Sequence, residues 1–278
     1  MSDSKIPLAG VIGAPVAHSL SPRLHGYWLS RHQIQGHYVP LHVAAADLQA
    51  AFAMLPKLGF VGVNVTIPHK EAVLNFADVV SDRAAIMGAA NTIVFQSNGK
   101  LHADNTDGYG FLENLRAGAP EWDPTAGPAA IIGAGGAARA VIWALLDAGV
   151  PEIRLTNRTR ARSDALRDAF GARVEVFEWV QAGNALDTAA LIVNSTSLGM
   201  AGAPELRIPL DAIDSQTIVT DLVYTPLETP LLAVARDRGA TVVDGLGMLL
   251  HQAVPGFERW FGERPSVDEE ARAAVLAP

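Results

Sequence analysis

Three observations predict an α/β fold for this 278-residue chain. Short β-type runs alternate with helical segments along most of its length, and a glycine-rich turn at 133–138 joins an apolar run to a helical one. A Pro/Gly-rich stretch, Gly118 to Pro128, separates two such halves. The expectation is an N-terminal α/β domain over 1–106, completed by helices in 248–278, and a C-terminal domain over 107–247 with a doubly wound parallel sheet.

In the first half, Leu8 to Ile12, Tyr38 to Val43, Val61 to Val65 and Asn91 to Phe95 read as strands. Ser21-Pro22 reads as an N-cap with proline at N1 before a helix from Arg23, Asp47 starts a second helix, and Pro68 opens a third. Asn98-Gly99 marks a hairpin pairing Thr92 to Gln96 with the stretch around Leu101. Thr106 to Leu115 reads as a connecting helix. In the second half the strands are Ala129 to Ile132, Ile153 to Thr156, Val174 to Phe177, Leu191 to Asn194, Ile218 to Asp221 and Thr241 to Val243. Helices lie between most of them, which calls for parallel pairing. Met248 to Phe261 and Glu269 to Val275 are helical, and their periodicity does not say where they pack.

Length allows a sizeable core and two domains. A net charge of −8 gives no general attraction to nucleic acid or anionic membrane. There is no cysteine, which excludes disulfides, thiolate catalysis and Cys-based metal sites. The eight histidines lack H-E-x-x-H or comparable ligand spacing, so no metal is expected and His69 reads as structural. Met1 to Leu8 lacks a basic region followed by an apolar segment, and no long apolar run follows; a soluble cytoplasmic protein is the expectation.

Gly133, Gly135 and Ala138 fill the three small-residue places of a G-x-G-x-x-G/A turn. There the first glycine makes the turn, the second admits a pyrophosphate to the backbone, and the third small residue lets helix and strand pack closely. A bare motif of this kind also fits a plain tight turn. One strand later an NAD site carries an acid for the ribose 2′-hydroxyl. Here Ile153 to Thr156 ends in Asn157 and Arg158, and Arg160 and Arg162 follow. Arg158 and Arg162 match a 2′-phosphate, so the expected cofactor is NADP in a Rossmann-like domain. The bland alternative is a solvated arginine run, although positive charge in a first helical turn opposes the helix dipole.

Three polar clusters end elements of the first half: Ser19-Leu20-Ser21, Asn64 to Lys70, and Asn105-Thr106-Asp107-Gly108. Open strand ends are where α/β folds gather ligands. Helix capping is the bland role for Ser21, and plain exposure is the bland role for Lys70. If Lys70 lies in a first helical turn, the helix dipole disfavours its charge.

The combination closely resembles the shikimate dehydrogenase family over nearly the whole chain. Ser-Leu-Ser-Pro, Asn-Val-Thr-Ile-Pro-His-Lys, Gly88 to Thr92, Asn105 to Gly108, Gly133 to Gly136, Asn157-Arg158-Thr159 and Asp244 to Leu249 occur in the family's order and spacing. The resemblance implies a catalytic pair, Lys70 and Asp107, with Ser19, Ser21, Thr66, Asn91, Tyr224 and Gln252 also holding the cyclohexene acid. It implies cofactor contacts from Gly133, Ala134, Gly135, Gly136, Ala137, Asn157, Arg158, Thr159 and Arg162. Asn194, Ser195, Thr196, Ser197, Leu222, Gly245 and Met248 would line the nicotinamide side. The implied reaction is reversible NADP-dependent reduction of 3-dehydroshikimate to shikimate in aromatic amino acid biosynthesis, in a protein that is monomer or homodimer and closes its domains around its ligands. Two alternatives stay open. One is a quinate/shikimate dehydrogenase of broader range, in which threonine often replaces the second serine and an acid the arginine; Ser21 and Arg158 stand against it. The other is a non-catalytic NADP-binding sensor, which has no need of Lys70 and Asp107.

Overall fold

The computed structural model describes residues 6–277. Most of the Met1 to Leu8 stretch considered for a leader lies outside the described residues. The chain divides into two compact units, residues 1–106 with 250–278, and residues 107–249. No described helix is long and apolar enough to cross a membrane.

The first unit contains β1 (Leu8–Gly13), α1 (Ser21–Arg31), β2 (His37–His42), α2 (Leu48–Met54), β3 (Phe60–Val65), β4 (Val79–Val80), α3 (Asp82–Met87), β5 (Thr92–Phe95) and β6 (Leu101–Asp104). Its sheet runs in the order β2-β1-β3-β5-β6-β4. β1 is parallel to β2 and β3, whereas β5 is antiparallel to β3 and β6. The hairpin expected at Asn98-Gly99 forms, with Gly99 at a φ of 82°. Alternation along β3 sorts its residues by face. Val63 and Val65 join Ile12, Phe52, Val73 and Ile93 in one core. Gly62 and Asn64 face the other way, and the missing side chain of Gly62 lets the Trp260 indole lie on the sheet and donate to the Ile93 carbonyl at 3.0 Å.

Two helical expectations are corrected here. Ser21 is not an N-cap: Leu20 already has α-helical backbone angles and its carbonyl accepts the first helical bonds, from Arg23 and Leu24, so Ser21 is the first helical residue. Pro68 opens no α-helix. The Lys70 carbonyl accepts from Ala90 N at 2.8 Å, outside any helical ladder, and the chain tightens into a 3₁₀ turn over Ala72–Phe76. The dipole argument for Lys70 falls with that helix.

The second unit contains α4 (Asp107–Gly118), β7 (Ala129–Ile132), α5 (Gly136–Ala148), β8 (Ile153–Thr156), α6 (Arg160–Phe170), β9 (Val174–Phe177), α7 (Ala182–Leu186), β10 (Leu191–Asn194), β11 (Ile218–Asp221), α8 (Pro230–Asp237) and β12 (Thr241–Val243). Every pairing is parallel, in the order β12-β11-β10-β7-β8-β9. This is the doubly wound arrangement, with the order reversing between β7 and β10. β7 carries both cores: Ala129 and Ile131 pack with α4 and α5, Ala130 and Ile132 with α7 and α8.

α9 (Leu246–Phe261) begins in the second unit and runs into the first, and α10 (Glu269–Leu276) follows. The packing that periodicity left open is aromatic. Phe257 and Trp260 of α9 join His25, Trp28 and Tyr38 in one cluster, with His25 stacked on Tyr38 at 3.8 Å between ring centroids. Arg31 pairs with Asp268 at 2.6 Å and ties α10 to α1.

Candidate active site

In the first unit, the carboxyl ends of β1, β3 and β6 and the amino end of β5 lie at one end of the sheet, as the pairings Ile12↔Val65, Asn64↔Thr92 and Thr92↔Asp104 require. The three polar clusters of the sequence, and Asn91, therefore arrive at one place. Ser19 and Ser21 follow β1; Thr66 and Lys70 follow β3; Asn91 precedes β5; Asn105 and Thr106 follow β6. Asp107 comes next in the chain and begins α4 in the second unit.

Local bonds fix these groups. Ser19 Oγ accepts from Ser21 N at 3.3 Å, so Ser19 caps the turn into α1 in the way expected of Ser21. Thr66 N donates to the Ile12 carbonyl at 2.9 Å, and Gly13 is small because a Cβ there would lie 2.5 Å from Thr66 Cγ2. His69 is buried and its Nε2 lies 2.7 Å from the Val43 carbonyl, the structural role expected of it. Lys70 is half-buried, with its carbonyl held by Ala90 N.

Asn91 is the most constrained of the set. It is 2% exposed, and its Oδ1 accepts from Thr106 N at 2.9 Å and from Thr92 Oγ1 at 2.9 Å. Because the backbone donor can only donate, the amide orientation is settled and Nδ2 points to Gln252 Oε1 at 3.2 Å. Gln252 is held in turn, since its carbonyl accepts from Thr106 Oγ1 at 2.8 Å. Two turns further along α9, Arg259 reaches Asp104 at 2.8 Å. Asp104 is wholly buried and also accepts from Arg83, Ser81 and Asn105 N. Burial pushes its carboxyl up, but the Arg83 and Ser81 hydrogen bonds and the Arg83 and Arg259 charges outweigh this and hold it well below the usual carboxylate range. This buried hub joins α3, β6 and α9 beneath the Asn105-Thr106 step. Sequence reasoning missed it, because its members, from Ser81 to Arg259, are up to 178 residues apart.

In the second unit the predicted cofactor residues gather at the carboxyl end of the parallel sheet. Gly133 has a φ of 109°, and a Cβ on it would lie 2.7 Å from Ser195 Oγ and Thr196 Cγ2, across the β7/β10 crevice. Beyond Gly135 and Gly136 there is open space within 4 Å of where a Cβ would stand. Ala138 is fully buried. The amino end of α5 has no side-chain cap, so its first backbone N–H groups have no side-chain acceptor at the cap. A pyrophosphate fits such a cradle.

Asn157 Nδ2 donates to the Thr159 carbonyl at 2.9 Å and shapes the turn after β8. The arginine run divides. Arg158 precedes the helix rather than sitting in its first turn, and Arg160 is engaged by Asp164 at 3.1 Å and Glu178 at 2.5 Å. Arg158 and Arg162 are exposed and have no ion-pair partner among the described residues. Two guanidiniums are thus available at the place where a ribose 2′-phosphate would lie. The residues present fit NADP.

Asn194 is wholly buried and its amide is saturated: Nδ2 donates to the Leu198 carbonyl and Asp221 Oδ1, and Oδ1 accepts from Thr196 N and Oγ1. Its side chain shapes the 194–198 loop. Ser195 Oγ donates to the Ile132 carbonyl at 2.8 Å. Burial raises the Asp221 carboxyl against the bonds it accepts from Val223 N, Thr229 and Asn194. Gly245 passes against Leu222, whose carbonyl oxygen would lie 2.5 Å from any Cβ there. Met248 packs on the unit's core, and Tyr224 is half-buried, which raises its phenol.

Known proteins are similar to this chain in sequence and in fold. The sequence matches the family profile described as "Shikimate dehydrogenase substrate binding domain" over 11–93. Those described as "Shikimate / quinate 5-dehydrogenase" and "Shikimate 5'-dehydrogenase C-terminal domain" match 125–202 and 245–276. A protein of Cereibacter sphaeroides named shikimate dehydrogenase (NADP(+)) is 66% identical over 273 residues, covering 98% of each chain. The Thermus thermophilus shikimate 5-dehydrogenase in complex with NADP(H) and shikimate aligns with a TM-score of 0.85 and 37% identity, over 97% of this chain and 100% of that one. Quinate dehydrogenase from Corynebacterium glutamicum in complex with NAD aligns with a TM-score of 0.91 and 30% identity, over 98% and 99%.

Proposed function

Because the chain belongs to the shikimate dehydrogenase family, we propose that it catalyses the reversible NADP-dependent reduction of 3-dehydroshikimate to shikimate, a step toward the aromatic amino acids. The first unit holds the cyclohexene acid and the second holds NADP. The observation that carries the reading is the convergence of Ser19, Ser21, Thr66, Lys70 and Asn91 at one end of the first sheet, beside the chain that leads into Asp107.

When bound, the reduced cofactor supplies the hydride. The residues handle the charge and the proton. Reduction of a ketone leaves an alkoxide, and the Lys70 ammonium both stabilises that charge and delivers the proton, a transfer worth about 10²–10⁴-fold in rate. Asp107 orients Lys70 and favours its charged form. Asn91 presents N–H donors to the substrate because its oxygen is committed to Thr106 and Thr92. Ser19, Ser21, Thr66, Gln252 and Tyr224 complete the grip on hydroxyls and carboxylate. Arg158 and Arg162 hold the 2′-phosphate, and Gly133 to Ala137 the pyrophosphate. Cytoplasmic location belongs to the same reading, since its ligands are soluble metabolites.

The test measures formation of reduced nicotinamide with shikimate or quinate, each with NADP or NAD. Activity confined to shikimate with NADP is the expected result. Equal turnover of quinate, or preference for NAD, overturns the substrate or the cofactor half of the proposal respectively.

A further inference from the structure

At the carboxyl end of the second sheet, β10 and β11 finish side by side on two polar residues in register, Asn194 and Asp221. Both are wholly buried. Asp221 Oδ1 accepts from Asn194 Nδ2 and from Val223 N, each at 3.0 Å, and Oδ2 accepts from Thr229 Oγ1 at 2.7 Å. The Asn194 amide is fixed from both sides. Thr196 N can only donate to Oδ1, at 3.1 Å, and the Leu198 carbonyl can only accept from Nδ2, also at 3.1 Å. One carboxylate therefore gathers the loop after β10, the loop after its own strand, and Thr229, the N-cap of α8.

The loop after β11 is tied at three points. Leu222 N donates to the Asn194 carbonyl at 2.9 Å, Val223 N donates to Asp221, and the Thr225 carbonyl accepts from Ala201 N at 2.9 Å. Tyr224 lies between two of these ties. A buried carboxylate whose partners are neutral donors is costly to desolvate, and apolar residues would end two core strands without that cost. What the carboxylate adds is direction: three buried donors meet one rigid group, and leaving any of them unmatched is expensive.

We propose that Asp221 and Asn194 are positioning residues for the nicotinamide half of the cofactor: without touching it, they lock the 222–225 loop to the 194–201 loop and so fix Leu222 and Tyr224. This rests on the reading that NADP lies along this end of the sheet. Asn194 acts through its neighbours, because both amide hydrogens and both oxygen lone pairs are taken up by Leu198, Asp221 and Thr196.

Binding measured by calorimetry, without turnover, tests this with two ligands: NADP, and adenosine 2′,5′-bisphosphate, which has no nicotinamide. Asp221→Ala is expected to raise the Kd for NADP about tenfold, the equivalent of one hydrogen bond lost, and to leave that for the bisphosphate within about twofold. Asp221→Asn keeps an oxygen for Val223 and Asn194 while its amide nitrogen donates to Thr229, so its Kd for NADP should stay within about threefold of the parent's. Asn194→Ala leaves the carboxylate its Val223 and Thr229 donors; it should show the same split between ligands, and it carries the test if Asp221→Ala does not fold. An unchanged Kd for NADP in a folded Asp221→Ala or Asn194→Ala variant overturns the proposal. So does an equal loss of both ligands, or NADP binding as weak in Asp221→Asn as in Asp221→Ala. If the parent protein binds neither ligand, it is the NADP reading that has failed, and the inference with it.

Discussion

The two units build their sites by opposite means. The second unit uses backbone: a glycine turn, an uncapped helix end and a crevice where strand order reverses, all within a few residues of β7. The first unit uses side chains drawn from distant parts of the chain, such as Asn91 with Gln252 and Asp104 with Arg259, and locks them by buried hydrogen bonds and ion pairs. A dinucleotide offers a long phosphate spine that backbone N–H groups can follow. A small polyhydroxy acid must be recognised group by group.

The contrast breaks most sharply at Lys70. Lys70→Ala removes a group that no backbone feature replaces, and kcat is expected to fall about 10²–10⁴-fold with KM for shikimate little changed. Steady-state kinetics in both directions decide this, and a kcat within a few fold of the parent reassigns the proton donor. Next comes the cofactor turn, where two glycines should behave differently. Gly133→Val places a branched side chain at a φ of 109° against Ser195 and is expected to cost roughly 2–4 kcal/mol of stability, read by denaturant unfolding. Gly135→Ala meets open space, so its Tm should hold while KM for NADP rises.

Arg158→Asp sharpens the comparison at its one side-chain exception. Loss of a charged hydrogen bond to phosphate, with gain of a ribose acceptor, should move the NADP/NAD preference by about 10–100-fold toward NAD. Unchanged preference would place the phosphate elsewhere.

The smallest effect concerns the aromatic cluster under the first site. His25 is fully buried among Trp28, Tyr38, Phe257 and Trp260, neither ring nitrogen has a hydrogen-bond partner, and burial lowers its pKa to about 3. The unfolded chain binds a proton near pH 6.5 and the folded one does not, so stability is full above that pH. It falls as pH drops toward 3, by roughly 1–2 kcal/mol between pH 7 and pH 5. His25→Phe should flatten that part of the stability profile. An equal slope in both proteins would assign the acid sensitivity to other groups.

How far each site was legible follows from the same contrast. Gly133, Gly135 and Ala138 could be read because a turn between strand and helix is local, and the glycine requirement is written in adjacent residues. The role of Arg160 could not be read: only the fold brings Glu178 to it and so separates it from Arg158 and Arg162. Ser21 was misread as a cap because capping depends on the backbone angles of Leu20, and Pro68 was misread as a helix start because Ala90 takes the Lys70 carbonyl. Asn64 did leave a trace in the sequence, an amide set among alternating valines, but nothing there named Tyr38, whose phenol donates to it, as its partner.

Alternation of short apolar runs with helical ones, the glycine turn and the motif order were enough to determine the α/β class, the parallel second sheet, the boundaries of most strands and the family. These depend on local periodicity and on φ preferences, which neighbouring residues carry. Tertiary structure alone decided where α9 packs, how Asp104 is neutralised, which arginines stay available and which way the Asn91 amide faces. Those outcomes depend on desolvation and on which buried donor meets which acceptor, and burial is a property of the folded chain.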